Sequence, residues 1–239
     1  MGDFLARVAG EVKGNVTLRK QQYRFSDDPE TSIRFARNFI TGKVYNSRWI
    51  LERAIRDYPL RVDSERLKEK SQFLYQSRSE YPGDVINSAK LLGLEGEAAS
   101  VYFSVFDELI LQQKDVFYFH GRNKRPPLDR VNAMLSFAYS LLAGMCGSAL
   151  EGVGLDPYVG FYHTDRPGRI SLALDLMEEL RGVMADRFVL TLINKRVMKE
   201  SHFMEKEDGA VLLNDAGRKV FLSAWQERKQ EMVKHPFFG

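Results

Sequence analysis

One stretch organises the second half of the chain: Gly160-Phe-Tyr-His-Thr-Asp-Arg-Pro-Gly-Arg-Ile-Ser-Leu-Ala-Leu-Asp-Leu-Met-Glu-Glu-Leu-Arg181. Its pattern predicts an apolar, strand-like segment ending at His163, a loop containing Pro and Gly, and then an amphipathic helix. Residues spaced i, i+3 share one face of a helix, so Asp175 and Glu178 point the same way. Buried carboxylates must be paired, hydrogen-bonded or bound to a metal. Two acids on a largely apolar helix therefore indicate a site.

The rest of that helix helps to orient it. Glu179 and Arg181 fall outside the apolar stripe, and we interpret them as marking a different, exposed side. The side that carries Asp175 and Glu178 is then the side that faces the protein.

The composition predicts one globular domain. With 239 residues, of which 44% are hydrophobic, the chain is long enough to bury a substantial core. The single cysteine, Cys146, lies in an apolar helical pattern and cannot form an internal disulfide, which suits a reducing compartment. There is no run of about 18 apolar residues and no signal-peptide pattern. We therefore expect a cytoplasmic protein that makes no membrane contact.

Periodicity predicts a mainly α fold with a short N-terminal β or extended segment and one small hairpin. Residues 4–24 alternate weakly between apolar and polar, which predicts one or two short strands. Asp28-Pro29 is a helix start, with Asp28 as the N-cap. Ser64 is predicted to cap a second helix that runs to Ser77, and residues 81–84 are predicted to form a turn. Residues 131–151 form a long apolar helix that must be central to the core.

The C-terminal part shows equally local signals. Helical periodicity extends over residues 187–198. Asp208-Gly209 between apolar residues is typical of a hairpin turn. Asn214 is predicted to cap a last amphipathic helix that ends before Pro236.

Four acidic or imidazole side chains form the candidate site. Glu95 is placed by its pattern at the start of a helix, where the helix dipole favours an ionised carboxylate. Taken singly, Glu95 is more often an ordinary N-terminal acid, His163 a core or loop histidine, and Asp175 and Glu178 a solvated face. Together, one imidazole and two or three carboxylates suit magnesium or manganese. Zinc is less favoured, because structural zinc sites need four ligands rich in Cys and His.

Two basic loops accompany these acids. Residues 118–130 form a proline-containing loop, and a Pro-Gly loop follows His163. Such loops are usually solvated surface, but next to aromatic residues and acids they are also typical of phosphate-backbone contacts. Acids that could hold a cation, beside cations that could hold phosphates, indicate phosphodiester chemistry. The candidate DNA-binding residues are Arg122, Lys124, Arg125, Arg166 and Arg169.

Four motifs together resemble a known family, the CRISPR-associated integrase and endonuclease of spacer acquisition (Cas1), and within it the branch from type I-C systems. They occur in the family's order, and the resemblance covers nearly the whole chain. One is the helix motif that ends the stretch quoted above, and the others are Gly93-Leu-Glu-Gly-Glu-Ala-Ala-Ser-Val-Tyr-Phe103, Arg125-Pro-Pro-Leu-Asp-Arg-Val-Asn-Ala-Met-Leu-Ser-Phe137 and Gly154-Leu-Asp-Pro-Tyr-Val-Gly-Phe-Tyr-His163.

The resemblance implies a metal-dependent DNA endonuclease that joins the 3′ ends of a new spacer to the CRISPR array by transesterification, using Mg²⁺ or Mn²⁺. By motif, Glu95, His163 and Glu178 match the three metal ligands, and Asp175 matches the helical acid that assists catalysis. Many members carry Asp where this chain has Glu178. The implied partners are spacer-precursor, CRISPR-repeat and branched DNA, a second copy in a homodimer, and the small second Cas protein of the adaptation complex.

The resemblance also suggests a division of the chain. Members usually begin with a β-rich domain that builds the homodimer, and we expect this chain to start at the last strand of that domain and to end early. Residues 1–24 are then a remnant of the β-domain or a linker, and residues 25–239 the helical metal-dependent DNA-integrase or nuclease domain.

Two other functions are compatible with the residues. The first is a non-catalytic DNA-binding scaffold of the same fold, which predicts metal-independent binding and no strand transfer. The second is a metal-dependent hydrolase unrelated to nucleic acids, against which the arginine-rich loops argue.

Overall fold

The protein is seen in a computed structural model that describes residues 16–77 and 87–232. Within these ranges the fold is mainly α, as predicted, with one two-stranded sheet. The helices are α1 (Val16–Asp27), α2 (Pro29–Asp57), α3 (Ser64–Ser77), α4 (Ser88–Phe103), α5 (Arg130–Gly152), α6 (Ser171–Arg181), α7 (Arg187–Asn194) and α8 (Asp215–Gln230).

Shorter elements connect these helices. A π-helical turn, Gly182–Asp186, joins α6 to α7 without a break, and 3-10 turns cover Phe106–Leu109 and Glu200–His202. The strands β1 (Phe203–Glu205) and β2 (Val211–Leu213) pair antiparallel, so the predicted hairpin is confirmed.

Local capping signals set several helix boundaries. The Asp28 side chain accepts a hydrogen bond from the Thr31 N–H, with Pro29 as the first residue of α2, as predicted. Asn214 likewise caps α8. The start of α3 differs from the prediction, because Asp63 Oδ1 accepts from the Arg66 N–H at 3.0 Å and Ser64 is already the first helical residue.

Two predictions of extended structure are wrong where the structure tests them. Residues 16–24 belong to α1 and are helical, because this segment docks against the rest of the domain through a buried side chain, Gln22. No strand precedes His163, since residues 153–170 form a loop. Residues 4–15 and the turn predicted at 81–84 lie outside the described residues.

Helix α5 is the centre of the core, as its sequence predicted. Met134, Leu135 and Ala138 are fully buried, and Cys146 is a core residue. Among the described helices, α5 is also the one long and apolar enough to cross a membrane, a property that it shares with the core helices of many folds. Its apolar surface packs against α6 and β2.

Helix α2 closely approaches α6 and the π-helical turn after it, at one glycine on each side. A Cβ on Gly42 would lie 2.8 Å from Glu179 Cγ, and one on Gly182 would lie 3.0 Å from Ile50 Cδ1. Asn46 Nδ2 also donates to the Glu179 carbonyl at 2.8 Å. This close contact brings Lys43, the residue after Gly42, against the acidic face of α6.

The loop that carries His163 is fixed from the N-terminal helices. Gln22 Nε2 donates to the carbonyls of Asp156 and Val159, both at 2.8 Å, and Gln22 Oε1 accepts from the Asp156 N–H at 2.9 Å. Farther along, the Phe161 ring stacks on Phe35, with centroids 4.6 Å apart. Helices α1 and α2 therefore act as a support for this loop.

We predict that Gln22→Ala lowers the free energy of unfolding by about 1–3 kcal/mol, because the buried backbone groups of the loop lose their partners. Urea denaturation measures the change. Gln21→Ala is the matched control, since Gln21 is an adjacent, less buried residue of the same type. Equal effects of the two substitutions would show that the hydrogen bonds of Gln22 do not anchor the loop.

Candidate functional site

Asp175 organises the loop around His163. Its side chain is fully buried on α6. Oδ2 accepts from the N–H groups of Phe161 (2.6 Å) and Tyr162 (2.9 Å), and Oδ1 accepts from the His163 N–H at 2.9 Å. Gly160 permits this approach, because a Cβ there would lie 2.9 Å from Asp175 Oδ2. Hydrogen bonds within the protein therefore compensate the burial of the Asp175 carboxylate.

The same carboxylate orients the His163 ring. His163 Nδ1 lies 2.7 Å from Asp175 Oδ1. We assign the Nδ1 proton to this contact, since a carboxylate can only accept, and Nε2 then carries the free lone pair. A carboxylate on the far nitrogen is the usual support of a metal-binding histidine.

Glu95 and Glu178 share one cation, the ammonium of Lys43. Lys43 Nζ forms ion pairs with Glu95 Oε1 and with Glu178 Oε2, the latter at 2.7 Å. The three side chains are between 8% and 17% exposed, so this contact is largely screened from solvent. Helices α2, α4 and α6 each contribute one residue. The two carboxylates are thus brought together, although they are 83 positions apart in the chain, from 95 to 178.

The position of Glu95 in its helix differs from the prediction. Helix α4 begins at Ser88 and is capped by Asn87, whose side chain accepts from the Lys90 N–H. Glu95 therefore lies in the middle of α4, and the helix dipole at the N-terminus does not explain its charge. Gly93 and Gly96 are typical of a helix start, yet both lie within α4 with open space around them.

Glu178 is held ionised by two cations. Arg181 Nη1 donates to both of its carboxylate oxygens, at 3.1 and 3.2 Å. Burial by itself would raise the pKa of Glu178, but the charges of Arg181 and Lys43 together lower this pKa to about 2. The arrangement keeps a full negative charge almost out of contact with water.

Arg181 is not on an exposed side, contrary to the sequence interpretation. Its side chain is only 12% exposed, and its guanidinium carbon lies 4.1 Å from the centroid of the Tyr139 ring. The Tyr139 hydroxyl in turn donates to Asp186 Oδ1 at 2.5 Å, and both residues are buried. Arg181 therefore packs on the buried pair of Tyr139 and Asp186. This contact holds its guanidinium beside Glu178.

Sequence reasoning missed Lys43, Tyr139, Arg181 and Asp186 as members of the site. A signal was present for two of them. Lys43 lies on the buried stripe of α2 between Ile40 and Val44, and Asp186 interrupts an apolar helical run. A charged residue on an apolar face requires a partner, but the pattern does not say which one.

Tyr162 closes the site beside Glu95. Its hydroxyl donates to Glu95 Oε2 at 3.4 Å, and burial together with the charges of Glu95 and Glu178 raises its pKa above the usual value. The phenol therefore stays neutral and acts as a donor.

The donors fit a hard divalent cation in their chemistry. Within residues 16–77 and 87–232, no three or more His, Cys, Asp or Glu side chains are already arranged to hold a metal ion. Glu95 and Glu178 nevertheless converge on a single positive charge, the Lys43 ammonium, and Asp175 orients the His163 ring. Two ionised carboxylates and one imidazole nitrogen form a donor set suited to Mg²⁺ or Mn²⁺.

The predicted DNA-binding residues are divided between two surroundings. Arg122 and Lys124 line an open cavity of about 550 Å³ together with Glu95, Lys43 and Arg181. Arg122 is partly buried and already bound, since it donates to Asn132 Oδ1 at 2.7 Å and to Ser136 Oγ at 3.0 Å.

Apart from Arg122, the predicted DNA-binding residues are more open. Lys124, Arg125 and Arg166 are exposed, and Arg169 is half-buried. Partial desolvation and the charges of Arg181 and Arg122 lower the pKa of Lys124, which shows a cationic wall on this side of the cavity.

Comparison with known proteins identifies the family. Residues 1–227 match the family described as CRISPR associated protein Cas1. The chain belongs to the Cas1 family. It is 47% identical over 238 residues to a CRISPR-associated endonuclease Cas1 of Chlorobaculum tepidum, and 49% identical over 240 residues to one of Rhodospirillum rubrum. These alignments cover 100% and 99% of this chain and 69% of each relative.

The fold of this Cas1 chain is also similar to solved structures. A casposase bound to its integration product superposes with a TM-score of 0.78 at 26% identity, over 92% of this chain and 62% of the casposase. The family prediction made from the four motifs is thus confirmed.

We predict that acid weakens the fold partly through Glu178. Its pKa in the folded protein lies below the unfolded value of about 4.3. A lowered pKa means that the ionised carboxylate contributes stability above that unfolded value, and that this contribution is lost as the pH falls towards 2. Unfolding free energy measured between these limits should fall less steeply in Glu178→Gln than in the wild type. Glu97→Gln, at an exposed position on α4, should keep the wild-type slope. If the unfolding free energies of the wild type and Glu178→Gln fell in parallel with pH, the lowered pKa of Glu178 would not contribute to acid stability.

Proposed function

We propose that this Cas1 chain is a metal-dependent DNA endonuclease and integrase that acts in CRISPR adaptation, where it joins spacer 3′ ends to the CRISPR array by transesterification. The observation that carries the proposal is the convergence of Glu95 and Glu178 on one cation beside a histidine oriented by Asp175. Membership of the Cas1 family and the likeness to an integration complex of a casposase support it.

Glu95, Glu178 and Nε2 of His163 would hold Mg²⁺ or Mn²⁺. When bound, such an ion polarises the scissile phosphate and stabilises the negative charge that develops on its oxygens. The protein contributes orientation. Arg181 fixes the Glu178 carboxylate through two hydrogen bonds, and Asp175 fixes the ring of His163.

The reaction proposed here needs no covalent protein nucleophile. A spacer 3′-hydroxyl attacks the scissile phosphorus in integration, and a water molecule attacks it in hydrolysis. In each case the bond from phosphorus to the 3′-oxygen of the cleaved strand breaks, and that oxygen leaves as a 3′-hydroxyl. Two nucleophilic side chains near or within the core are unsuited to attack. Ser171 is fully buried and donates to the Thr164 carbonyl, and burial raises the pKa of Cys146 to about 11, so it stays a thiol.

The cationic residues around the site would position the DNA. Lys124, Arg125, Arg166 and Arg169 can neutralise backbone phosphates, a type of contact that orients a strand without reading its sequence. Arg122 has a different role in this proposal, because its hydrogen bonds to α5 shape the wall from which Lys124 projects.

The proposed partners follow from the same family. They are spacer-precursor, CRISPR-repeat and branched DNA, a second copy of the chain, and the small second Cas protein of the adaptation complex. We place this activity in the cytoplasm.

A second candidate is a non-catalytic DNA-binding scaffold of the same fold. One observation favours it, namely that the Lys43 ammonium already forms an ion pair with each of the two carboxylates. This function requires DNA binding without a metal and no strand transfer, so chelator distinguishes the two candidates.

We predict that Glu95→Gln, His163→Ala and Glu178→Gln each abolish DNA cleavage and joining, because each removes a metal ligand. Asp175→Asn should lower the rate by about 10- to 100-fold, as is usual for a group that supports a ligand. Rates are measured on branched and linear DNA with Mn²⁺, with and without chelator. Circular dichroism checks that each variant is folded.

Glu97→Gln is the matched control for Glu95→Gln, because it removes an exposed carboxylate from the same helix. If one of the three ligand variants kept the wild-type rate at limiting Mn²⁺, that residue would not be a ligand. Wild-type activity that persists in chelator would exclude metal dependence.

We predict that the double variant Lys124→Ala and Arg125→Ala binds DNA more weakly and with a shallower salt dependence. Each phosphate contact contributes about 0.9 to the slope of log affinity against log salt concentration, so the slope should change by up to about 2. Fluorescence anisotropy over a salt series measures it. Replacement of Lys219 and Lys229, two exposed cations of α8, is the control. An unchanged slope would show that the loop of residues 118–130 is ordinary solvated surface and does not contact phosphates.

A further inference from the structure

Lys43 occupies the position where a metal would be needed. Its ammonium contacts one oxygen of Glu95 and one of Glu178, and its side chain is only 11% exposed. A buried lysine is rare unless it is paired, and this one is paired with the two acids assigned above as ligands. Removal of Lys43 would leave two carboxylates facing each other with Arg181 as the nearby positive charge.

A divalent cation and this ammonium compete for the same oxygens. Mg²⁺ binds carboxylate oxygens at about 2.0–2.1 Å and demands near-ideal geometry. An ammonium that remains hydrogen-bonded to the same oxygens would lie within a few ångströms of the ion and repel it. Lys43 must therefore withdraw when the metal binds. Space is available, because Lys43 lines the open cavity of Arg122 and Lys124.

We infer that Lys43 is an internal counter-ion, which holds Glu95 and Glu178 together in the metal-free protein and is displaced by the divalent cation. This inference rests on the proposed function of the site. It has opposite consequences for the stability of the metal-free protein and for its affinity for the metal. Lys43 stabilises the metal-free fold, and it weakens the affinity for the metal, since the metal must first break two ion pairs.

The close contact between α2 and α6 makes this role specific to Lys43. Gly42 allows the helices to touch, so Lys43, the next residue of α2, reaches Glu178 of α6 with its ammonium. No described neighbour repeats both contacts, because Arg181 is bonded to Glu178 and stacked on Tyr139 instead.

Lys43→Met tests the inference, because methionine keeps most of the unbranched stem of the side chain and removes its charge. In chelator, the variant should have a lower melting temperature than the wild type. By calorimetry with Mn²⁺ alone, its dissociation constant should be smaller by about 5- to 150-fold, the usual range of coupling between two linked interactions. Lys43→Arg keeps the charge and should keep affinity much nearer the wild-type value. Lys90→Met, at an exposed lysine of α4, should change neither quantity.

A measurement on the unmodified chain avoids dependence on the folding of a variant. Amine acetylation followed by mass spectrometry reports the accessibility of each lysine. Labelling of Lys43 should be slow in chelator and faster with Mn²⁺, while that of Lys90 should not change. Labelling of Lys43 that is equally slow in both conditions, at Mn²⁺ concentrations where calorimetry shows binding, would overturn the inference.

The outcomes separate this inference from the function on which it rests. If the wild type binds Mn²⁺ and Lys43→Met binds it equally or less tightly, the counter-ion role is wrong and the metal site stands. If neither protein binds Mn²⁺, both the metal site and the counter-ion role are wrong. Binding by Lys43→Met that exceeds that of the wild type supports both.

Discussion

The structure depends on one buried negative charge, the carboxylate of Glu178. A carboxylate that is almost out of contact with water is costly unless cations and hydrogen bonds compensate it. Arg181 and Lys43 supply that compensation, and they lower the pKa of Glu178 to about 2 despite its burial. Each of these two cations also contacts other parts of the fold. Arg181 is set on the Tyr139 and Asp186 pair in the core, and Lys43 ties α2 and α4 to α6.

The histidine side of the site follows a different principle. His163 lies in a loop without regular structure, and such loops vary in position unless they are tied down. Here a single buried carboxylate, Asp175, accepts from three consecutive backbone N–H groups and orients the ring. Gln22 and Phe35 hold the same loop from outside. The site thus joins two ion-paired acids to a histidine whose geometry is set by residues that precede it and by one that follows it in the chain.

The cations around the site fall into two groups with different purposes. Arg122 and Arg181 are bound inside the protein and both approach the Tyr139 ring, so they shape the site. Lys124, Arg125 and Arg166 are exposed. A sequence motif counts all of these as equivalent positive charges. The proposed DNA contacts rest on the exposed group, because the guanidinium of Arg122 is already held against α5 by Asn132 and Ser136.

The sequence by itself determined the mainly α class, the caps of α2 and α8, the hairpin and the central helix α5, because these features arise from periodicity and local hydrogen bonds. It also picked out the acids and the histidine, and the order of its motifs predicted the family. Only the tertiary structure decided that residues 16–24 are helical, that Glu95 lies mid-helix, and that Lys43 and Arg181 face the acids. The reason is physical. Packing chooses the partner of a buried charge, and the partners here come from helices far apart in the chain.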